Sequence, residues 1–506
     1  MGADAVEACQ ARIGSGKSVD MNEQKLTDAE RALREYEEKV GSMPAGALDL
    51  ATIESEVRAL TEARAREMMA VALKRADTEA PEVEIDGQRW GNRQVARGVY
   101  QTMFGAVALE RSVYQRAGRG RVAVPLDLRL GISEGRYTPK MARVLTRALA
   151  VMTEEEGADF LAELGTAMVS SSTLNRIPRA ITARYETRRE VVEATLRGCD
   201  EIPDEAVTVQ VALDGGMVPQ DGEYARPRGR KTDAPDPPRH ERRYGPMGVD
   251  APAAHDGHEG RAWHEASVAT LAYFDAEGRR LKTTYLGRMP EPLKATLTQQ
   301  LEAEVESALA ERPTLNIVFA SDGAPAHWTA LDAMAVRVAP HCQGETMKLV
   351  DAFHVAEYIQ KAANAIAGAN AAEASVLSAT WRETMKEICG GPKSVLRSLR
   401  AHRAAVKTRA RRDELDEAIA YIASQQAQGR MNYAEARTKH YPIGTGITEA
   451  AVKTVIGVRM KRAGARFSQH GGQTILLFRA ALLSGRFDAL HAELTATYMS
   501  RVQAAA

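Results

Sequence analysis

From Val207 onward, short apolar runs alternate with helical stretches, and three of those runs stop at an aspartate. Val207–Leu213 ends at Asp214, Leu315–Ala320 leads to Asp322, and Met347–Val350 ends at Asp351. Ala266–Phe274 and Leu281–Leu286 lie between the first two and are joined by a turn at Ala276-Glu277-Gly278. Pro292–Arg312 and the shorter Trp328–Ala333 carry helical patterns. Runs of this length and composition, bounded by turn residues, read as strands. The order strand, strand, strand, helix, strand, helix, strand predicts a mixed α/β sheet. Tyr358–Gln428 is nearly all helical and predicts a large helical insertion behind the last strand.

The first two hundred residues read differently. Leu26, Ala29, Leu33 and Tyr36, then Ile53, Val57, Leu60 and Ala63, recur at helical spacing on either side of a break at Met43-Pro44-Ala45-Gly46. Thr102–Tyr114 alternates around Gly105 and predicts a strand or hairpin, and Tyr137–Met152 returns to a helical pattern. Glu154–Leu164, a stop at Gly165, and a second helix capped from Ser170-Ser171-Ser172-Thr173 make a candidate helix-turn-helix, with Arg176 and Arg179 as candidate DNA contacts. Pro178 sits awkwardly inside that second helix. The organisation expected is therefore a helical arm over 1–85, with dimerisation as one role, and a mainly helical basic DNA-binding region over 86–200. A sheet domain follows over 201–357 and 440–492, interrupted by the helical insertion at 358–439.

Charge enters here. The chain holds 67 Lys/Arg and 67 Asp/Glu, a balance that seems to speak against nucleic acid. It is a cancellation. Residues 1–85 hold 18 acids and 11 bases (net −7), 88–147 hold 12 bases and 3 acids (net +9), and 430–486 hold 10 bases and 2 acids (net +8). No uncharged apolar run is long enough for a membrane span, and no signal peptide is read at the start. Cys9, Cys199, Cys342 and Cys389 lie far apart, which fits a reducing cytoplasm.

Two motifs are read as chance. Ala11–Ser18 resembles the end of a phosphate loop but has Ala11 where glycine is needed, and His255-x-x-His258 is at most half a metal site. The carboxylates say more. Asp214 precedes Gly-Gly and Asp322 precedes Gly-Ala, so ligand and backbone can approach closely. Glu449, in Pro442-Ile443-Gly444-Thr445-Gly446-Ile447-Thr448-Glu449, falls in the first turn of a helix that Thr445 or Thr448 can cap. Taken singly, each acid also fits a capping or helix-dipole role. Lys453, Arg459, Lys461, Arg462 and Arg466 follow Glu449, and Arg228, Arg230 and Lys231 lie in a proline-rich stretch, Arg226–Arg243, that reads as a basic loop. Cations beside carboxylates suit a phosphodiester substrate.

Leu213–Pro219, Leu286–Glu291, Ser321–Ala324, Asp351–Tyr358, Pro442–Lys453 and Arg459–Gln473, taken in order, resemble bacterial insertion-sequence transposases of the DDE class, ISKra group, related to Mutator-like elements. The likeness runs from about residue 90 to about residue 490. It implies an RNase H-like core with Asp214, Asp322 and Glu449 as the catalytic triad, spaced 108 and 127 residues apart. It further implies two Mg2+ ions, for which Mn2+ can substitute, held by those three acids. Asp351-x-x-His354 looks like a signature of that group, with His354 either positioning the scissile phosphate or making a structural bond with Asp351. The basic residues would hold double-stranded DNA (element ends and target), and joining two ends implies at least a homodimer. The expected activity is metal-dependent cleavage and strand transfer in the bacterial cytoplasm, at the nucleoid when acting. A nuclease with another duty, or a transposase-derived DNA-binding protein without catalysis, are the alternatives. Retention of all three acids argues against the last. The arm before residue 90 matches the group less clearly, and no cysteine pair stands near 115–125.

Overall fold

A computed structural model describes residues 27–116, 122–165, 169–220, 255–258, 261–369 and 371–505. The chain divides into two compact units, one from Met1–Val83, Arg89–Leu126 and Ala504–Ala506, the other from Glu84–Gln88 and Asp127–Gln503.

The first unit is a helix pair with a hairpin. Helix α1 (Asp28–Gly41) starts at a reciprocal cap, in which the Thr27 hydroxyl accepts from the Glu30 amide and Glu30 accepts from the Thr27 amide. Helix α2 (Leu50–Arg75) follows, capped by Asp49. Strands β1 (Gln88–Thr102) and β2 (Gly105–Gln115) pair antiparallel, closing at Thr102 opposite Gly105, whose φ of +98° only glycine adopts readily. Alternation buries Tyr100, Thr102 and Val107 on one face near the tip, and Ser112 and Tyr114 on the opposite face further along. Thr102–Tyr114 is thus the tip of a longer hairpin.

The second unit opens with helices α3 (Pro139–Val151), α4 (Glu154–Glu163), α5 (Ser171–Thr187) and α6 (Arg189–Gly198). They belong to the same compact unit as the sheet that follows and do not group with the hairpin. The sheet contains β3 (Thr208–Gln220), β4 (His255–His258), β5 (Arg261–Phe274), β6 (Arg280–Arg288), β7 (Asn316–Ser321) and β8 (Thr346–Val350). Helix α7 (Ala295–Glu311) leads into β7, and α8 (Pro325–Val338) links β7 to β8. The long strand β3 is central. On one side β5 runs antiparallel to it, with β6 and the short β4 on its far edge. On the other, β7 and then β8 run parallel to it. Mixed α/β is thus the class observed.

Both faces of the sheet are covered. Val209, Val211 and Leu213 enter one core with Leu297, Leu301 and Val305 of α7 and Leu331 of α8. Val218, Ala266 and Val268 enter another with Val455, Ile456, Ile475 and Leu476. Ile317, Val318 and Phe319 of β7 are fully buried in succession, as a central parallel strand requires.

Behind β8 come α9 (Ala352–Ala367), α10 (Ala372–Glu387), α11 (Gly391–Arg403), α12 (Arg409–Ala427) and α13 (Tyr433–Thr438). The chain then returns through the short α14 (Gly446–Ala451), a π-helical turn at Val452–Gly457, α15 (Gln469–Leu483) and α16 (Phe487–Ala496). No helix among the described residues is long and apolar enough to cross a membrane.

Candidate functional site

Asp214 and Asp322 are brought together by strand register. Strands β3 and β7 pair in parallel from Thr208 opposite Asn316 to Ala212 opposite Ala320. Two residues beyond that last pair come Asp214, still within β3, and Asp322, one residue past the end of β7. Asp214 does not end its strand, contrary to the reading above. Antiparallel pairing with β5 carries β3 on to Gln220, and only the parallel ladder stops at Ala212. Burial pushes the Asp214 carboxyl up, the Gly215 amide (2.7 Å from Oδ1) works against this, and the charges of Asp322 and then Glu449 push it up further. Asp322 and Glu449 therefore each lie within electrostatic reach of Asp214.

Glu449 is exposed in the first turn of α14. Neither threonine caps that helix. Thr445, at the cap position, gives both its amide and its hydroxyl to Asp351 Oδ2, and the Thr448 hydroxyl sits 2.8 Å from that of Thr270 on β5. Gln210 Nε2 donates to Gly444 O at 3.0 Å, so the loop ahead of Glu449 is fastened to β3 as well. An added Cβ at Gly216 would stand 3.0 Å from Val452 Cγ1, which explains the second glycine after Asp214.

Asp351 is a fastener. Its Oδ1 accepts from the amides of Phe353 (2.6 Å) and His354 (2.9 Å), capping α9, while Oδ2 holds Thr445. The bond between Asp351 and His354 is thus made by the His354 backbone. The His354 ring lies edge-on to Tyr358 and Tyr421, and Nδ1 is 3.6 Å from Glu357 Oε2. Tyr421, on α12 of the insertion, stacks on Tyr358 with ring centres 3.9 Å apart. Its hydroxyl would stand 2.5 Å from a Cβ at Gly323, directly after Asp322.

Three residues at this end of the sheet had no reading in the sequence. His327, in the first turn of α8 and buried, places Nδ1 3.1 Å from Asp322 Oδ1 and Nε2 3.5 Å from Glu265 Oε1. Lys294 Nζ lies 2.9 Å from the same Glu265 oxygen and 2.6 Å from Ser267 Oγ. Burial alone would lower His327, but the hydrogen bonds to Asp322 and Glu265 raise it to about 8. The His327 bond, against burial and with help from Lys294, holds Glu265 down to about 2. Burial pushes Asp322 up, but the hydrogen bond and charge of His327, the Ala324 amide and the charge of His354 outweigh it and hold Asp322 below the usual carboxylate range. His327 had a faint signal, a histidine five residues after the aspartate. Lys294 had none, because its left-handed backbone (φ 53°) cannot be read from residue type.

The predicted cations scatter. Arg459 is buried (2% exposed) and donates from Nε to Leu149 O at 3.1 Å, so it faces the core and is withdrawn from the surface role expected of it. Arg462 pairs with Glu156 of α4, whose carboxyl falls to about 2 through the Thr153 amide and that guanidinium. Lys461 Nζ would lie 3.6 Å from a Cβ at Gly216, close to Asp214 along the chain. Lys453 and Arg466 are exposed. Arg228, Arg230, Lys231 and the Ala11–Ser18 motif lie outside the described residues. His255 and His258 fall on β4. In the helix pair α4/α5, Ser170 caps α5, which continues through the buried Pro178. Glu154, Ser171, Ser172, Asn175, Arg176 and Arg179 line a cavity of about 500 Å³ there.

Among the described residues no group of three or more His, Cys, Asp or Glu side chains is gathered closely enough to hold a metal ion. The donors at the site are nevertheless right in kind for a hard divalent cation: three carboxylates, of which Asp214 is repelled by the charges of Asp322 and Glu449. No protein-family model, curated protein or solved structure matches the chain.

Proposed function

We propose that the chain is a DDE-type DNA transposase with an RNase H-like core, acting on the ends of its own insertion sequence. The observation that carries this reading is the parallel register of β3 and β7, which brings Asp214 and Asp322 to one end of the sheet, with Asp322 and Glu449 both within electrostatic reach of Asp214. The strand order, with three antiparallel strands followed by two parallel ones on the other side of the first, supports the fold assignment.

Asp214, Asp322 and Glu449 would hold Mg2+ or Mn2+, which when bound lowers the pKa of a nucleophilic water or 3′-hydroxyl and stabilises the leaving oxygen. The chain's own part is positional. Strand pairing fixes Asp214, His327 and the Ala324 amide orient Asp322, and the Asp351–Thr445 clamp sets the approach to Glu449. His354, within electrostatic reach of Asp322, would orient the phosphate. Lys461, Lys453 and Arg466 would neutralise backbone phosphates, contacts that carry no sequence information. Sequence reading falls to the α4/α5 helix pair with Arg176 and Arg179. Double-stranded DNA is the partner, two protomers join two ends, and the bacterial cytoplasm is the setting.

The open spacing of the three acids favours one second reading, a transposase-derived protein that binds DNA without cutting it. Inverted repeats in the flanking DNA supply the substrate to decide. On that substrate, with Mg2+, Asp214→Ala and Glu449→Gln are expected to lose strand cleavage and keep end binding. Normal cleavage by either variant removes the triad assignment, and binding without cleavage by the unaltered protein selects the second reading.

A further inference from the structure

We infer that Lys294, Glu265 and His327 form a positioning relay that aims one oxygen of Asp322 into the site; the inference rests on the function proposed above.

Asp322 lies one residue past the end of β7, where strand pairing no longer restrains a side chain, and that side chain is 37% exposed. Something else must orient it. Its Oδ1 meets the Ala324 amide at 3.1 Å, Ser321 Oγ at 3.3 Å and His327 Nδ1 at 3.1 Å. No donor among the described residues reaches Oδ2. One oxygen is anchored and the other is left to face the site.

His327 can hold that pose only if its ring is itself fixed. It is 4% exposed, and its far nitrogen is met by Glu265. Glu265 is held in turn by Lys294, which also bonds Ser267. Four elements contribute one residue each: the turn before α7, strand β5, helix α8 and the end of β7. Charges alternate along the chain of contacts, so each group supports the next.

Two features mark the relay as more than packing. Leu293 and Lys294 both take φ of 53°, a left-handed pair without glycine, and this is what carries the buried Lys294 ammonium to Glu265. Gly215 lacks a side chain where an added Cβ would stand 2.0 Å from Glu265 Oε1. The residue after Asp214 is therefore kept small by the carboxylate that serves Asp322. By the two-residue period of a strand, Asp214 and Gly215 look to opposite faces, so the relay reaches Asp322 from the face that Asp214 does not use.

The test uses the full chain. Mn2+ binding is followed by calorimetry, cleavage of a terminal-repeat duplex by its kcat and KM, and folding by thermal melting. Glu265→Gln keeps shape and removes charge. It is expected to weaken Mn2+ binding about tenfold and lower kcat by a similar factor, with KM for DNA and melting temperature little changed. Lys294→Met should act in the same direction. His327→Asn, whose amide can stand in for Nδ1, should retain more Mn2+ affinity than His327→Ala. If Glu265→Gln does not fold, Gly215→Ala, which displaces the same carboxylate, takes its place. Unchanged Mn2+ affinity and kcat in a folded Glu265→Gln or Gly215→Ala protein, while Asp322→Ala loses both, overturns the relay and leaves the proposed function standing. Identical Mn2+ isotherms for the unaltered protein and Asp322→Ala overturn the proposed function, and the relay with it.

Discussion

Asp214 and Asp322 stand 108 residues apart in the chain and at one end of the sheet, whereas Arg459 and Arg466 stand seven apart and share no environment. The first pair is governed by strand register. Parallel pairing fixes which residues are level, and the two-residue period fixes which face each side chain takes. The second pair belongs to a charge-rich run. A run specifies composition, and the fold then sends one guanidinium into the core beside Leu149 and leaves the other in water. Carboxylates at strand ends are a geometric signal, and clustered cations are a statistical one.

The sharpest way to break this contrast is to make the acids ordinary. Asp322→Asn keeps size and can keep the Ala324 bond, so the protein is expected to fold with an unchanged melting temperature. Cleavage is nonetheless expected to fall to background in a terminal-repeat assay with Mg2+. Retained cleavage would mean that parallel register at this sheet end has nothing to do with chemistry.

The same logic marks what the sequence could and could not disclose. The seven-element rhythm from Val207 to Val350 was legible because buried strands leave continuous apolar runs, and five of the six observed strands fall on it, the short β4 being the exception. The length of β3 was not. Asp214-Gly215-Gly216 looks like a strand end, yet the ladder to β5 runs six residues further. The glycines were read as room for a ligand, when here they make room for Glu265 and Val452 on either face. The Asp351 and Thr445 clamp was invisible because its partners are 94 residues apart and either residue alone passes for a helix cap. Glu265 was hidden in an apolar strand, and its meaning depends on a lysine whose backbone conformation no residue type announces.

The cations give a second test, in opposite directions for the two arginines. Removing Arg459 as Arg459→Ala is expected to cost about 3 kcal/mol of stability, because the Leu149 carbonyl loses its donor and Glu154 its nearby charge. Arg466→Ala should leave stability within about 0.5 kcal/mol. It should reduce the slope of log affinity against log salt for DNA by about 0.9, the loss of one phosphate contact. Denaturant melts and salt-dependent DNA titrations read the two effects separately. Equal effects of both substitutions on the salt slope would erase the distinction between a buried and a surface cation.

A buried histidine sharpens the contrast from the side of stability. His491 on α16 is 4% exposed, and burial, then the charge of Arg143, lower it to about 4, with Asp488 pulling weakly the other way. Below about pH 6.5 the unfolded chain takes up a proton there and the folded chain does not until about pH 4. Stability contributed by the neutral ring is therefore complete above pH 6.5 and lost as pH falls to about 4, a drop of up to about 3 kcal/mol by the pKa difference. His491→Phe is expected to flatten that part of the stability profile and to leave cleavage at neutral pH unchanged. A slope between pH 6.5 and 4 that is the same with and without His491 would assign the acid sensitivity to carboxylates elsewhere.

The smallest effect expected is at the helix cap of the first unit. Thr27→Ala removes the hydroxyl that accepts from the Glu30 amide, and should cost about 1 kcal/mol locally. Thr27 is a cap that the sequence offers in the same form as Thr445: a threonine ahead of a helix with an acid in its first turn. In α1 the hydroxyl does cap. In α14 it is diverted to Asp351. Thr445→Ala should therefore leave the helicity of α14 alone and loosen the loop that carries Glu449, seen as faster amide exchange at Gly444–Thr448 with little change in melting temperature. Faster exchange confined to Glu449–Ala451 would make Thr445 an ordinary cap, and the two threonines would then differ only in name.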